Sequence, residues 1–144
     1  GVDALLGDVT RRHKDLDLLL LVADLPAYER LASARSWTRS YTWSENVEFE
    51  LDGRRYDSAF VDADPEGAEL DVHVIDVSED GKLIQSSSDP WPLPPKALAG
   101  MGQLAGRSIR CVSADAQLSM HTGYDLPDAQ RHDLERLRRL RTER

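Results

Sequence analysis

A chain of 144 residues, 40% hydrophobic and 31% charged, carries enough apolar material for one folded core and too much for a disordered tail. Its formal net charge of -8 argues against broad nucleic-acid affinity, which needs a basic surface to displace counterions. The longest apolar run, Leu18 to Ala23, is too short to span a bilayer, and no basic-then-apolar leader opens the chain. A cytoplasmic protein with no membrane or nucleic-acid partner is expected, and the lone Cys111, which has no internal disulfide partner, fits a reducing compartment.

Gly1 to Leu6 reads as the end of a helix stopped by Gly7. Lys14 to Val22 reads as a strand, and its apolar run from Leu18 predicts burial on both faces at the centre of a sheet. Pro26 suits the first turn of a helix running to about Arg35, with Tyr28, Leu31 and Ala32 at helical spacing. Val47, Phe49 and Leu51 then alternate with polar residues. Asp52-Gly53 signals a tight type I′ hairpin, with Arg54 to Val61 returning as the partner strand. Glu69 to Val77 alternates again, with Leu70, Val72 and Val74 on one face and Glu69, Asp71 and His73 on the other. Asp80-Gly81 marks a second turn, and Ser86 to Pro95, rich in Ser and Pro around Trp91, a loop. Ile109 to Val112 forms a short strand, and Ser113 caps a helix to about His121. Pro127 or Asp128 opens a last helix striped by Leu134, Leu137 and Leu140. The expected class is α+β, a single domain over residues 1–144 with a mixed β-sheet flanked by helices.

Asp15 and Asp17 lie two apart in the first strand, so both point to one face while Leu16 points to the other. Paired anions at the mouth of a buried strand are costly unless protons, cations or a metal offset them. Carboxylate oxygens suit Mg²⁺ or Mn²⁺, with phosphate oxygens completing the shell. Asp71 supplies a third carboxylate, as ligand or base, if its strand is a neighbour. On spacing alone Asp-x-Asp reads as a solvated strand end; the apolar run after Asp17 is what favours metal. His13, Asp15 and Asp17 on one strand face, together with His73, raise a zinc alternative. A structural zinc site wants four ligands richer in Cys and His, so this is the weaker idea. Neither a Gly-x-Ser-x-Gly elbow nor a Gly-x-x-x-x-Gly-Lys loop is present, which sets aside serine hydrolysis and P-loop chemistry. Trp37, Trp43 and Trp91 read as core or rim residues, with Trp91 placed to cover a substrate.

Gly1-Val-Asp-Ala-Leu-Leu-Gly7, followed by Thr10-Arg-Arg-His-Lys-Asp-Leu-Asp17, resembles the active-site signature of antibiotic nucleotidyltransferases. The group is the aminoglycoside 2''-adenylyltransferase-like family, to which lincosamide nucleotidyltransferases are also similar. Leu70-Asp-Val-His73, Leu104-Ala-Gly-Arg-Ser-Ile-Arg-Cys111, and His121-Thr-Gly-Tyr124 with Arg131-His-Asp133 continue the likeness in order across nearly the whole chain. The resemblance implies a nucleotidyltransferase fold and an antibiotic-resistance enzyme. Such an enzyme transfers a nucleoside monophosphate from ATP or another NTP to a hydroxyl of a small molecule, an aminoglycoside or lincosamide among the candidates, with pyrophosphate leaving. It implies that Asp15 and Asp17 hold Mg²⁺, with Mn²⁺ as the alternative, and that Asp71 shares a metal or takes the acceptor's proton. Arg11 and Arg12 would meet phosphate oxygens, against a default of a solvated loop, and His121, Tyr124, Arg131 and Asp133 would line the nucleotide or acceptor pocket, with exposed helix charges as the alternative for Arg131 and Asp133. In the family a strand and a phosphate-gripping Gly-Gly turn precede the segment matching Gly1 to Gly7. Of that turn only Gly1 is expected here, a feature that favours a rival reading: a non-catalytic nucleotide-binding or protein-interaction module on the same fold. Nothing in the pattern specifies an oligomeric state.

Overall fold

The computed structural model describes residues 1–9, 11–90, 92–122 and 125–142, so Thr10, Trp91 and Tyr124 lie outside the described residues, as does the side chain of Leu140. The chain forms two compact units, His13–Pro92 on one hand and Gly1–Arg12 with Leu93–Arg144 on the other. After the short α1 (Val2–Leu6), the first of these units runs β1 (Asp15–Leu21), α2 (Leu25–Ala34), β2 (Thr38–Thr42), β3 (Glu48–Leu51), β4 (Arg54–Asp57), β5 (Ala59–Ala63), β6 (Glu69–Val77) and β7 (Leu83–Gln85). Its mixed sheet has the order β1-β6-β5-β2, with β7 also on β6, and among the described residues only the β1–β6 pair is parallel. Among the described residues no helix is long and apolar enough to cross a membrane.

Period-two alternation decides which side of this sheet is dry. Val72 and Val74 of β6 are fully buried and meet Phe60 of β5, Leu25 of α2 and Tyr56 of the β3–β4 hairpin. Leu18, Leu20 and Leu70 pack around that cluster from the same face. Full burial of side chains such as Phe60 and Leu25 contributes about 1.5–3 kcal/mol each. The hairpin turns where its sequence says it should: Asp52 and Gly53 both take positive φ, 51° and 74°, as a type I′ turn demands.

Several boundaries differ from the sequence reading. β1 stands at an edge of the described sheet rather than at its centre, so its leucine run is only half-buried and Leu16 is 52% exposed. Leu31 also faces solvent on α2. The single return strand expected from Arg54 to Val61 is broken at Ser58 into β4 and β5, which join different sheets. Buried Ser58 makes the crossing possible because its polar groups are satisfied. Its amide donates to Asn46 Oδ1 at 2.8 Å, and its hydroxyl accepts from the Val47 amide at 2.8 Å.

On the same face as the core, Asp62 is 4% exposed and accepts from Tyr28 Oη and from Arg39 Nε, each at 2.7 Å. Burial, and then the bond to Asp62, push the Tyr28 hydroxyl well above its ordinary 10.0. The unfolded chain therefore loses this proton first. The contribution is complete below about pH 10 and declines as pH rises further. Urea midpoints compared at about pH 9 and about pH 11 should fall for the parent protein and fall less for Tyr28→Phe.

In the second unit β8 (Gly100–Leu104) and β9 (Arg107–Cys111) form an antiparallel hairpin, followed by α3 (Ala114–Met120) and α4 (Asp128–Thr142). Ser113 caps α3 as expected, its Oγ accepting from the Ala116 amide at 3.3 Å. Leu134 and Leu137 of α4 are buried. β8 carries no alternating apolar signal because Gly102 faces α1: a Cβ there would lie 2.2 Å from the Ala4 carbonyl oxygen.

Candidate active site

The parallel pairing of β1 with β6 sets Asp17 beside Asp71 and Asp15 beside Glu69. Partners on adjacent strands share a face at a spacing of about 4.8 Å, and residues two apart on one strand are about 6.6 Å apart. Four carboxylates thus form a two-by-two array on the sheet face opposite the core. The pattern that sends Leu18, Leu20, Val72 and Val74 inward sends these acids outward. Asp71 is largely covered, with 13% of its side chain exposed, whereas Asp17 is exposed and Asp15 half-buried.

The array is unevenly neutralised. Lys14 pairs with Glu69 at 3.2 Å, and that bond and charge raise the pKa of the Lys14 ammonium, although the lysine itself is solvated. Asp71 Oδ1 receives the Trp43 indole N–H at 2.8 Å and lies 3.2 Å from His73 Nε2. Asp15 and Asp17 have no hydrogen-bond or ion-pair partner among the described residues. Three hard-oxygen donors on one face suit a magnesium-sized cation. Among the described residues no three acidic, His or Cys side chains are gathered tightly enough, as they stand, to enclose an ion. The fit therefore rests on donor chemistry and on the shared face.

The residues expected to meet the nucleotide belong to the second unit. Arg11 Nε pairs with Asp133 at 3.1 Å, and Asp133 is buried on α4 rather than an exposed helix charge. Arg131 pairs with Asp128 on the exposed side of the same helix. His121 donates from Nδ1 to the Gln117 carbonyl at 2.8 Å, closing the end of α3. Gly1 caps α1, where a Cβ would strike the Gln117 amide. Arg12 is exposed.

The family model for aminoglycoside-2''-adenylyltransferase matches residues 1–137, a span that runs through both units. The chain belongs to this family. It is accordingly a nucleotidyltransferase of the adenylyltransferase kind. A lincosamide resistance protein from Staphylococcus haemolyticus is 24% identical over 146 aligned residues, covering 96% of this chain and 79% of that one. The crystal structure of the lincosamide antibiotic adenylyltransferase LnuA, lincomycin-bound, matches with a TM-score of 0.72 at 23% identity, over 95% of this chain and 80% of that one. The crystal structure of ANT(2'')-Ia in complex with adenylyl-2''-tobramycin gives a TM-score of 0.61 at 19% identity, over 99% of this chain and 80% of that one. The fold is the α+β nucleotidyltransferase fold expected from the sequence.

In this adenylyltransferase-family chain two residues without a sequence signal stand at the site, Trp43 on Asp71 and Gln85 on His73. Trp43 follows β2, a strand of exposed residues without alternation, where an indole reads as core or rim. Gln85 lies in β7, beyond the second turn, and its Nε2 is 3.1 Å from His73 Nδ1. An indole in a polar Thr/Ser-rich stretch, carrying an N–H that wants an acceptor, is the only hint the sequence holds.

Proposed function

We propose that this protein transfers a nucleoside monophosphate from ATP or another NTP to a hydroxyl of a small antibiotic-like acceptor, with Asp15, Asp17 and Asp71 as its metal and proton-handling groups. The observation that carries this reading is the β1–β6 register, which puts Asp17 beside Asp71 and Asp15 on the same face. Asp15 and Asp17 would hold Mg²⁺ or Mn²⁺. When bound, such ions polarise the α-phosphate and steady the leaving pyrophosphate. Asp71 takes the proton from the acceptor hydroxyl as its oxygen bonds to the α-phosphorus. The bond from that phosphorus to the bridging oxygen breaks, and pyrophosphate leaves with the electron pair. Exposed Asp17 with half-buried Asp15 and largely covered Asp71 gives this face a negative field that favours a cationic acceptor. Lincomycin and tobramycin, named in the structures of the relatives, define the first panel to try.

The test begins with binding. Mg²⁺ with ATP should raise the thermal midpoint, by the equivalent of about 2.7 kcal/mol at a hundredfold excess over Kd. Asp15→Asn or Asp17→Asn should remove the increment. Absence of any shift with ATP, GTP, CTP or UTP would overturn the reading. Pyrophosphate release with lincosamides and aminoglycosides then separates a catalyst from a mere nucleotide binder.

A further inference from the structure

Asp71 is held by more than its strand. The Trp43 indole nitrogen can only donate, and it lies 2.8 Å from Asp71 Oδ1. His73 Nε2 approaches the same oxygen at 3.2 Å. On the far side of that ring, Gln85 Nε2 lies 3.1 Å from Nδ1. An amide nitrogen donates and does not accept, so Nδ1 accepts and the proton of the neutral imidazole sits on Nε2, the ring nitrogen that lies 3.2 Å from Asp71 Oδ1. The sheet makes this alignment. Gln85 pairs with Ile75, and Ile75, His73 and Asp71 alternate onto one face of β6. Gln85 is 7% exposed, so its amide is not free to exchange partners with water.

Both contacts fall on Oδ1, the Trp43 indole by a hydrogen bond and His73 Nε2 at ion-pair distance, while Oδ2 has no hydrogen-bond partner among the described residues. We infer that Gln85, His73 and Trp43 are positioning residues for Asp71: Gln85 selects the His73 tautomer, and His73 with Trp43 holds Oδ1. Oδ2 is thereby presented as the oxygen that takes the acceptor's proton. This inference rests on the reading of Asp71 as the base. Lack of these donors would let the carboxylate turn about its χ2, and small misplacements at a reacting atom are expensive in rate.

The first test needs no variant. Nitrogen-15 NMR of the parent protein at neutral pH should show His73 with a protonated-type Nε2 and an unprotonated-type Nδ1. A protonated Nδ1 in a neutral ring overturns the inference. Gln85→Met, close in volume and without a donor, should weaken that tautomer preference. Both Gln85→Met and Trp43→Phe should lower kcat about 10- to 100-fold with the KM for nucleotide nearly unchanged. His73→Gln, whose amide N–H can reach Oδ1, should retain more activity than His73→Leu. Parental kcat in the Gln85 and Trp43 variants, alongside an inactive Asp71→Asn, would sink the positioning role and leave the base reading standing. An active Asp71→Asn would remove the base reading and the positioning role with it.

Discussion

Asp71→Asn should reduce turnover about 10²–10⁴-fold, the span a positioned general base typically contributes. The substitution preserves shape. An asparagine carbonyl can still accept from the Trp43 indole, so the side chain keeps its place while losing the ability to take a proton. Asp15 and Asp17 remain, and most nucleotide-dependent stabilisation should survive. The measurements are kcat by pyrophosphate release and the affinity for Mg²⁺–ATP by titration on the same preparation. A parallel loss of both would mean that Asp71 acts chiefly in binding, and its assignment as base would be withdrawn.

Phe60→Ala should cost about 3–5 kcal/mol of stability, a large part of what a domain this size commands. Phe60 is 1% exposed at the centre of the core, packs against Tyr28 with ring centroids 5.9 Å apart, and carries the Arg39 guanidinium 3.5 Å above its ring. Truncation removes apolar contact, an aromatic pair and a cation–π interaction together, and leaves a cavity that the β-sheet backbone cannot close. Urea denaturation should show a much lower midpoint with an unchanged slope. Leu31→Ala, at an exposed position on α2, should change stability by no more than about 0.5 kcal/mol. Similar effects at the two positions would contradict the core described here.

What was legible in the sequence was whatever obeys a local period. Alternation alone put Asp15 and Asp17 on one face of their strand and Asp71 with His73 on one face of theirs, and Asp52-Gly53 located the hairpin. Leu134 and Leu137 marked the buried stripe of α4. What was not legible depends on which segments become neighbours. Four consecutive leucines read as a strand covered on both sides, but among the described residues β1 pairs only with β6, so the covering is partial. β2 has no pattern of its own and exists because β5 offers it a ladder. Ser58 ends one strand and precedes another because Asn46, twelve positions away, supplies its partner. Trp43 reaches Asp71 across 28 positions and Gln85 reaches His73 across 12, distances over which no periodicity speaks.

The pairing of β1 with β6 carries a consequence for how this protein can be altered. Because side chains switch sides at every residue, deleting or inserting one amino acid between Asp15 and Leu21 would slide the ladder by a step and reverse the strand's polarity. Asp15 and Asp17 would be driven toward the face that carries Val72 and Val74. Chemistry and foldability are therefore written in the same reading frame of the ladder, and new specificities in this strand must come by exchanging residues, never by changing its length.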